Sequence, residues 1–353
     1  MATWCGRWSV SWKRVRGHEA QIEAFDRAVH RGRLAHAYLF VGPPGVGKRL
    51  FAVELAKSLL CESRRDDGRL EGCDHCPACA QVEAGTHPDF FTASRPPETA
   101  EFPISLMREL CQHFSLKAAR GRGKVVVIDD ADDLNAESAN CFLKTLEEPP
   151  AGSVLILIGS STDRQRQTIV SRCQVVRFRP LPSEMVAEVL KANGVDDPTL
   201  RERSIQLGGG SPGQALALAD PALWEFRRAL LAALTRPRFD AVALSKAWME
   251  FVQEAGKESV HQRRRARLTL RLLIDFLRAA LAFGLNYGAD ERVGDDRPLL
   301  QAMTNLTNAE QIASLLERCL EADFQIERNV GTALVLEALL DAVADRMTVV
   351  ETR

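Results

Sequence analysis

The stretch HAYLFVGPPGVGKRLF, residues 36–51, decides the fold. Its apolar run AYLFV reads as a buried strand, GPPGVGK fits the pattern G-x-x-x-x-G-K, and KRLFAVELAKSLL continues at helical spacing. A strand, a glycine-rich turn and a helix in that order make a phosphate-binding loop. The backbone N–H groups of the turn and the positive end of the helix converge on an anion. The nucleotide contacts expected here are Gly42, Pro43, Pro44, Gly45, Val46, Gly47, Lys48 and Arg49, with Lys48 as a point charge for the terminal phosphates. Arg49 departs from the pattern. A Ser or Thr hydroxyl at that place ligates Mg²⁺, whereas a guanidinium is permanently cationic and has no acceptor. The loop suits ATP, but Arg49 tells against Mg²⁺ coordination and predicts poor hydrolysis.

Working outward, residues 17–181 alternate helical and strand patterns, the rhythm of a parallel α/β sheet. EAQIEAFDRAVHRG, ISLMRELCQHFSLKA and AESANCFLKTLEEP read as helices; KVVVIDDAD, SVLILIGSS and CQVVRFRPL read as strands. The strand KVVVIDDAD brings a second nucleotide element. Asp129 stands where an acid holds the hydration shell of Mg²⁺, and Asp130 where a water-activating glutamate often sits, one methylene too short for that work. After Pro182 the strands stop. Three short helical patterns occupy residues 182–222, and long amphipathic patterns fill residues 223–353, so the chain is α/β followed by all-α.

The chain has nine cysteines, and its N-terminus lacks a secretory signal pattern, so it is read as cytoplasmic and the thiols as reduced. Four of them cluster. Cys61, Cys73, Cys76 and Cys79, two overlapping C-x₂-C steps with a fourth thiol upstream, suit a closed tetrahedral Zn²⁺ site that staples residues 61–79; His75 lies inside the knuckle as a spare ligand. Four thiolates leave no open position, so this zinc is structural rather than catalytic.

Lys plus Arg number 46 against 47 for Asp plus Glu, a net charge of -1, which gives no global reason to expect nucleic acid as the main partner. The run Arg263, Arg264, Arg265, Arg267 and Arg271 is the candidate basic patch, and it reads as the solvated face of a helix. Residues 1–16 form an N-terminal extension. Its Trp4, Trp8 and Trp12 are read as a buried turn or a loose extension before a membrane-surface anchor.

Together GHEAQIEAFDRAVHRGRLAHAYLFVGPPGVGK, the cysteine module, AGTHPDFF, KVVVIDDAD, LKTLEEPP and SRC resemble the clamp-loader branch of the AAA+ ATPases, most closely its delta-prime type. The resemblance implies a three-part fold: an AAA+ P-loop domain over residues 17–181, a helical lid over 182–222, and a collar over 223–353 that joins subunits into a ring. It implies that Arg172 of SRC is an arginine finger acting on a neighbour's ATP, and that Ser160 or Ser161 is the family's first sensor. It also places Gly213 where motor subunits carry a sensing arginine. The implied partners are gamma/tau and delta clamp-loader subunits, with the sliding clamp and primed DNA in the assembly. With Arg49, Asp130 and Gly213 all off the motor pattern, the chain is read as a stator within DNA polymerase III with weak or no ATPase of its own. The alternatives are a gamma/tau-type motor subunit, a zinc-dependent DNA-binding module, and a stand-alone remodelling enzyme.

Overall fold

The computed structural model describes residues 10–63, 70–99, 101–287 and 296–348. Trp4 and Trp8, and most of the polar loop NYGADERVGDDRP, lie outside the described residues. The chain divides into two compact units, the first ending at Ala219 and the second beginning at Asp220.

The first unit starts with a 3-10 turn, Val10–Arg14, and α1, Glu19–His30. Then follow β1 (Ala37–Val41), α2 (Lys48–Leu60), α3 (Pro77–Glu83), β2 (Phe90–Ala93) and α4 (Ile104–Ser115). The sheet is completed by β3 (Val125–Ile128), α5 (Ala136–Glu147), β4 (Val154–Gly159), α6 (Gln167–Val170) and β5 (Gln174–Arg177). All strand pairs are parallel, in the order β2-β3-β4-β1-β5. Parallel sheets need helices on both faces, and the strands are accordingly apolar on both. Tyr38, Phe40, Val125, Val127 and Ile156 pack on one side with Phe25 and Phe51, while Leu39, Val126, Ile128, Leu155 and Leu157 pack on the other with Met107 and Phe142.

β2 has no counterpart among the strand patterns read from the sequence. It is four residues long, lies at the sheet edge against β3 only, and carries Thr92 on an exposed position, so neither length nor alternation marks it. Within the N-terminal extension, Trp12 takes the buried-turn alternative. Trp12 and Val15 are buried in the α/β core, and the Trp12 indole donates to the Leu70 carbonyl at 2.6 Å, so residues from 12 onward help to build the first unit.

Three further helices, α7 (Ser183–Ala192), α8 (Pro198–Gly208) and α9 (Pro212–Leu218), follow the sheet within the first unit. They begin where the sequence puts Pro182, Asp197-Pro198 and Ser211-Pro212. The Asp197 and Ser211 side chains accept backbone N–H groups of the first turns of α8 and α9.

The second unit comprises α10 (Pro221–Leu234), α11 (Ala241–Gln253), α12 (Ser259–Gly284), α13 (Arg297–Leu306), α14 (Ala309–Glu327) and α15 (Thr332–Thr348). One core of Leu, Ile and Val side chains with Trp248 and Phe276 joins them. Trp248 is fully buried and donates to the Thr269 hydroxyl at 2.7 Å, which satisfies its one polar atom. Among the described residues, no helix is long and apolar enough to cross a membrane.

Candidate nucleotide and metal sites

The phosphate loop leaves the carboxyl end of β1, where ligands gather in open parallel sheets. Lys48 opens α2 and is 7% exposed; its ammonium donates to the carbonyls of Gly42 and Pro43 at 2.5 and 2.8 Å. Burial lowers its pKa, and Asp129 and Asp132 oppose that shift. The loop is held from three sides. The Gly42 N–H donates to the Ser160 carbonyl at 3.0 Å, and the buried His18 imidazole meets the Val46 carbonyl at 2.8 Å. From α9, the Gly213 N–H donates to Gly45 O at 2.9 Å, and the Ser211 hydroxyl to Pro44 O at 2.8 Å. Gly213 eases this approach, since a Cβ there would lie 3.0 Å from both Cα and O of Gly45, tighter than ordinary contact.

Beside the loop opens a cavity of about 530 Å³, lined by Val46, Leu50, Val189 and Leu216 with Lys13 and Arg16 among its polar walls. At the strand ends, Asp129 is one-quarter exposed and receives the Arg49 guanidinium, Nη1 to Oδ2 at 3.7 Å. Asp130 follows in the left-handed region at φ 53° and is exposed. Ser160 ends β4. Its hydroxyl is buried without a hydrogen-bond partner among the described residues, and its N–H donates to Asp132 at 2.8 Å; Ser161 is partly exposed. Asp132 also takes the Gln165 amide at 2.5 Å, and it lies so close to Gly159 that a Cβ there would come within 2.6 Å of its Oδ1. Sequence reading gave Asp132, His18 and Ser211 no role. Their partners are distant in sequence, and no local spacing announces them.

The cysteines converge as their spacing implied. The sulfurs of Cys61, Cys73, Cys76 and Cys79 all lie within 4.8 Å of one another, with Cys61 and Cys76 3.9 Å apart. A tetrahedral ion with Zn–S bonds of about 2.3 Å spaces its sulfurs about 3.8 Å apart, so the four thiols can hold one metal ion. Backbone N–H groups already point at the sulfurs: Cys73 N to Cys61 Sγ, Cys76 N to Cys73 Sγ and Cys79 N to Cys76 Sγ, at 3.3–3.4 Å. Burial raises the thiols of Cys61 and Cys79, whereas at Cys76 hydrogen bonds, led by the N–H groups of Cys79 and Glu62, overcome burial and lower the thiol, so within the cluster Cys76 is the one most readily ionised. His75 is exposed and outside the cluster. The knuckle is tied to α2 by charge: Lys57 reaches Asp74 at 2.6 Å, Glu54 at 3.1 Å and Glu83 at 3.3 Å, all from a nearly buried ammonium.

Arg172 sits between α6 and β5. Its guanidinium donates to Glu147, to the Thr168 carbonyl and to the Ser171 hydroxyl. None of these belongs to the phosphate loop. Two arginines of the run in the second unit are paired with acids: Arg267 forks onto Asp323 at 2.7 and 3.0 Å, and Arg265 reaches Asp220 at 3.4 Å.

Comparison with known proteins follows the same residues. A family model described as DNA polymerase III, delta subunit, matches residues 17–182. The delta-prime subunit of DNA polymerase III from Pseudomonas aeruginosa is 36% identical over 225 residues, covering 62% of this chain and 67% of that protein. The chain belongs to the DNA polymerase III delta-prime family. Its Escherichia coli member is 33% identical over 213 residues, 60% of this chain and 63% of that one. The tau subunit of Salmonella typhimurium is 34% identical over 214 residues, but these cover only 32% of its length. The chain thus spans between 54% and 67% of the delta-prime relatives. Among solved structures, a gamma-subunit-related protein of Thermotoga maritima matches with a TM-score of 0.49 at 16% identity, over 93% of this chain and 99% of that one.

Proposed function

We propose that this chain is the stator of a clamp loader, a delta-prime-type subunit that helps to place the sliding clamp on primed DNA while hydrolysing little or no ATP itself. The observation that carries this reading is the pairing of Arg49 with Asp129. The position that should offer a metal-binding hydroxyl instead offers a fixed cation, and that cation faces the carboxylate on which the metal would depend. The exposed Asp130 is one methylene short, and Gly213 packs against the loop where a motor subunit carries an arginine.

Arg172 serves in trans. It is supported by its exposure and by hydrogen bonds that hold it outside its own phosphate loop, leaving it to meet the nucleotide of a neighbouring gamma/tau-type subunit. The phosphate loop and the cavity beside it suit ATP or ADP, with Ser160 as the sensor, since its hydroxyl is buried and unpartnered. One structural Zn²⁺ occupies the four thiols. Residues 182–222 act as lid, and residues 223–353 as the collar that meets gamma/tau and delta subunits in the bacterial cytoplasm.

The test is phosphate release by the purified chain alone and mixed with a gamma/tau-type ATPase subunit. A rate at the buffer background for the chain alone, with a mixture that exceeds the sum of its parts, supports the stator. Turnover by the chain alone at the rate of the ATPase subunit contradicts it and favours a motor subunit.

A further inference from the structure

Metal-dependent phosphate loops need two protein contributions to the ion: a hydroxyl at the first turn of the helix and an acid at the end of a nearby strand. The acid is present as Asp129 and the hydroxyl is not. In its place Arg49 extends from the first turn of α2, 59% exposed, with Nη1 3.7 Å from Asp129 Oδ2. A guanidinium carries five donors and no lone pair, so it cannot join a Mg²⁺ coordination shell, and its charge opposes a divalent ion at the same carboxylate. These residues therefore do not fit Mg²⁺.

They do fit a polyphosphate without it. Lys48 is a buried cation at the loop, Arg49 adds a planar cation with a bidentate donor face, and the N-terminus of α2 adds its own positive potential. Against these three stand Asp129 and Asp132, with Asp130 exposed beside them. The loop is also preformed, because α9 already holds it through Gly213 and Ser211. We infer that Arg49 takes the place of the metal cation, so that this loop binds a nucleoside di- or triphosphate without Mg²⁺. On binding, the Arg49 guanidinium moves from Asp129 to phosphate oxygens. This rests on reading the loop as a nucleotide cradle, and it adds that the cradle carries its own counter-ion.

The experiment is equilibrium titration of the full chain with a fluorescent ADP analogue, competed by unlabelled ADP, in excess Mg²⁺ and in excess EDTA. Variants Arg49→Ser and Lys48→Ala are titrated alongside, with circular dichroism confirming that each is folded. The expected wild-type affinity in EDTA equals or exceeds that in Mg²⁺. Arg49→Ser is expected to bind at least about tenfold more weakly in EDTA than in Mg²⁺, because the restored hydroxyl makes the ion useful again. Wild-type binding that needs Mg²⁺ would overturn the inference and leave the cradle standing. Absence of binding by folded wild type in both conditions would remove the cradle reading, and the inference with it.

Discussion

Arg172 and Glu147 are locked together: the Nε and Nη2 of the arginine both donate to the same carboxylate oxygen, at 3.0 and 2.5 Å. Glu147 is the first acid of LKTLEEPP and Arg172 the centre of SRC, two segments that the family pattern presents separately. The pair joins the end of α5 to the loop before β5 and biases the direction in which the guanidinium is presented. Its exposure, 35% for the arginine and 50% for the acid, makes it weak as a source of stability, below about 1 kcal/mol.

Glu147→Gln is therefore expected to leave thermal stability nearly unchanged while lowering the stimulation of a neighbouring ATPase subunit a few-fold, through a less ordered Arg172. Matched thermal melts and phosphate-release assays on the mixture check this. Stimulation equal to wild type would mean that the pair is incidental.

The charge cluster behind the cysteine module is a stronger case. Glu54 is fully buried, and Lys57 is its closest cation, shared with Asp74 of the knuckle. Lys57→Met leaves the Glu54 carboxylate without that cation and is expected to destabilise the chain by about 3–5 kcal/mol, whereas Lys57→Met with Glu54→Leu recovers much of the loss. A double-mutant cycle in urea measures the recovery. Independent, additive costs would show that the ammonium and carboxylate do not depend on each other.

Metal analysis should find about one zinc per chain, and exhaustive chelation should lower the unfolding midpoint, because four converging thiols form a shared site only in the folded chain. Cys76→Ser is expected to reduce zinc content and stability together. Full stability after complete zinc removal would show that the module stands on its packing alone.

Burial depresses the pKa of His18, whose imidazole faces the Val46 carbonyl in the phosphate loop. Its folded pKa lies below the unfolded value of about 6.5, so its contribution is complete above that value and is lost as pH falls through the folded pKa. The stability difference between wild type and His18→Asn should accordingly narrow between about pH 7.5 and about pH 5.5. Denaturant melts across that range measure it, and a constant difference would show that the histidine does not charge on unfolding.

Much of the site was legible because its signals are local. GPPGVGK and the cysteine spacing each fix chemistry within a few residues, and β1, β3 and β4 are buried end to end, so their apolar runs stand out. The rest depends on packing between distant segments. β2 is a four-residue edge strand, α6 a single turn, and Trp12 is buried only because Leu70 and Phe51 come to meet it. The pairs Arg49–Asp129 and Glu147–Arg172 join segments that no periodicity connects, so the residue types were visible and their partnership was not. Between Ser160 and Ser161 the sequence offers no distinction. The structure shows a difference in environment only: the Ser160 hydroxyl is buried without a hydrogen-bond partner among the described residues.

The most direct measurement concerns Arg172 itself. Phosphate release by a gamma/tau-type ATPase subunit is followed with wild-type chain and with Arg172→Ala, after size-exclusion chromatography has shown that both assemble equally. Loss of at least about tenfold of the stimulation, with assembly intact, is expected of a finger that supplies transition-state charge to a neighbour. Undiminished stimulation by Arg172→Ala in an intact assembly would contradict the trans-acting role.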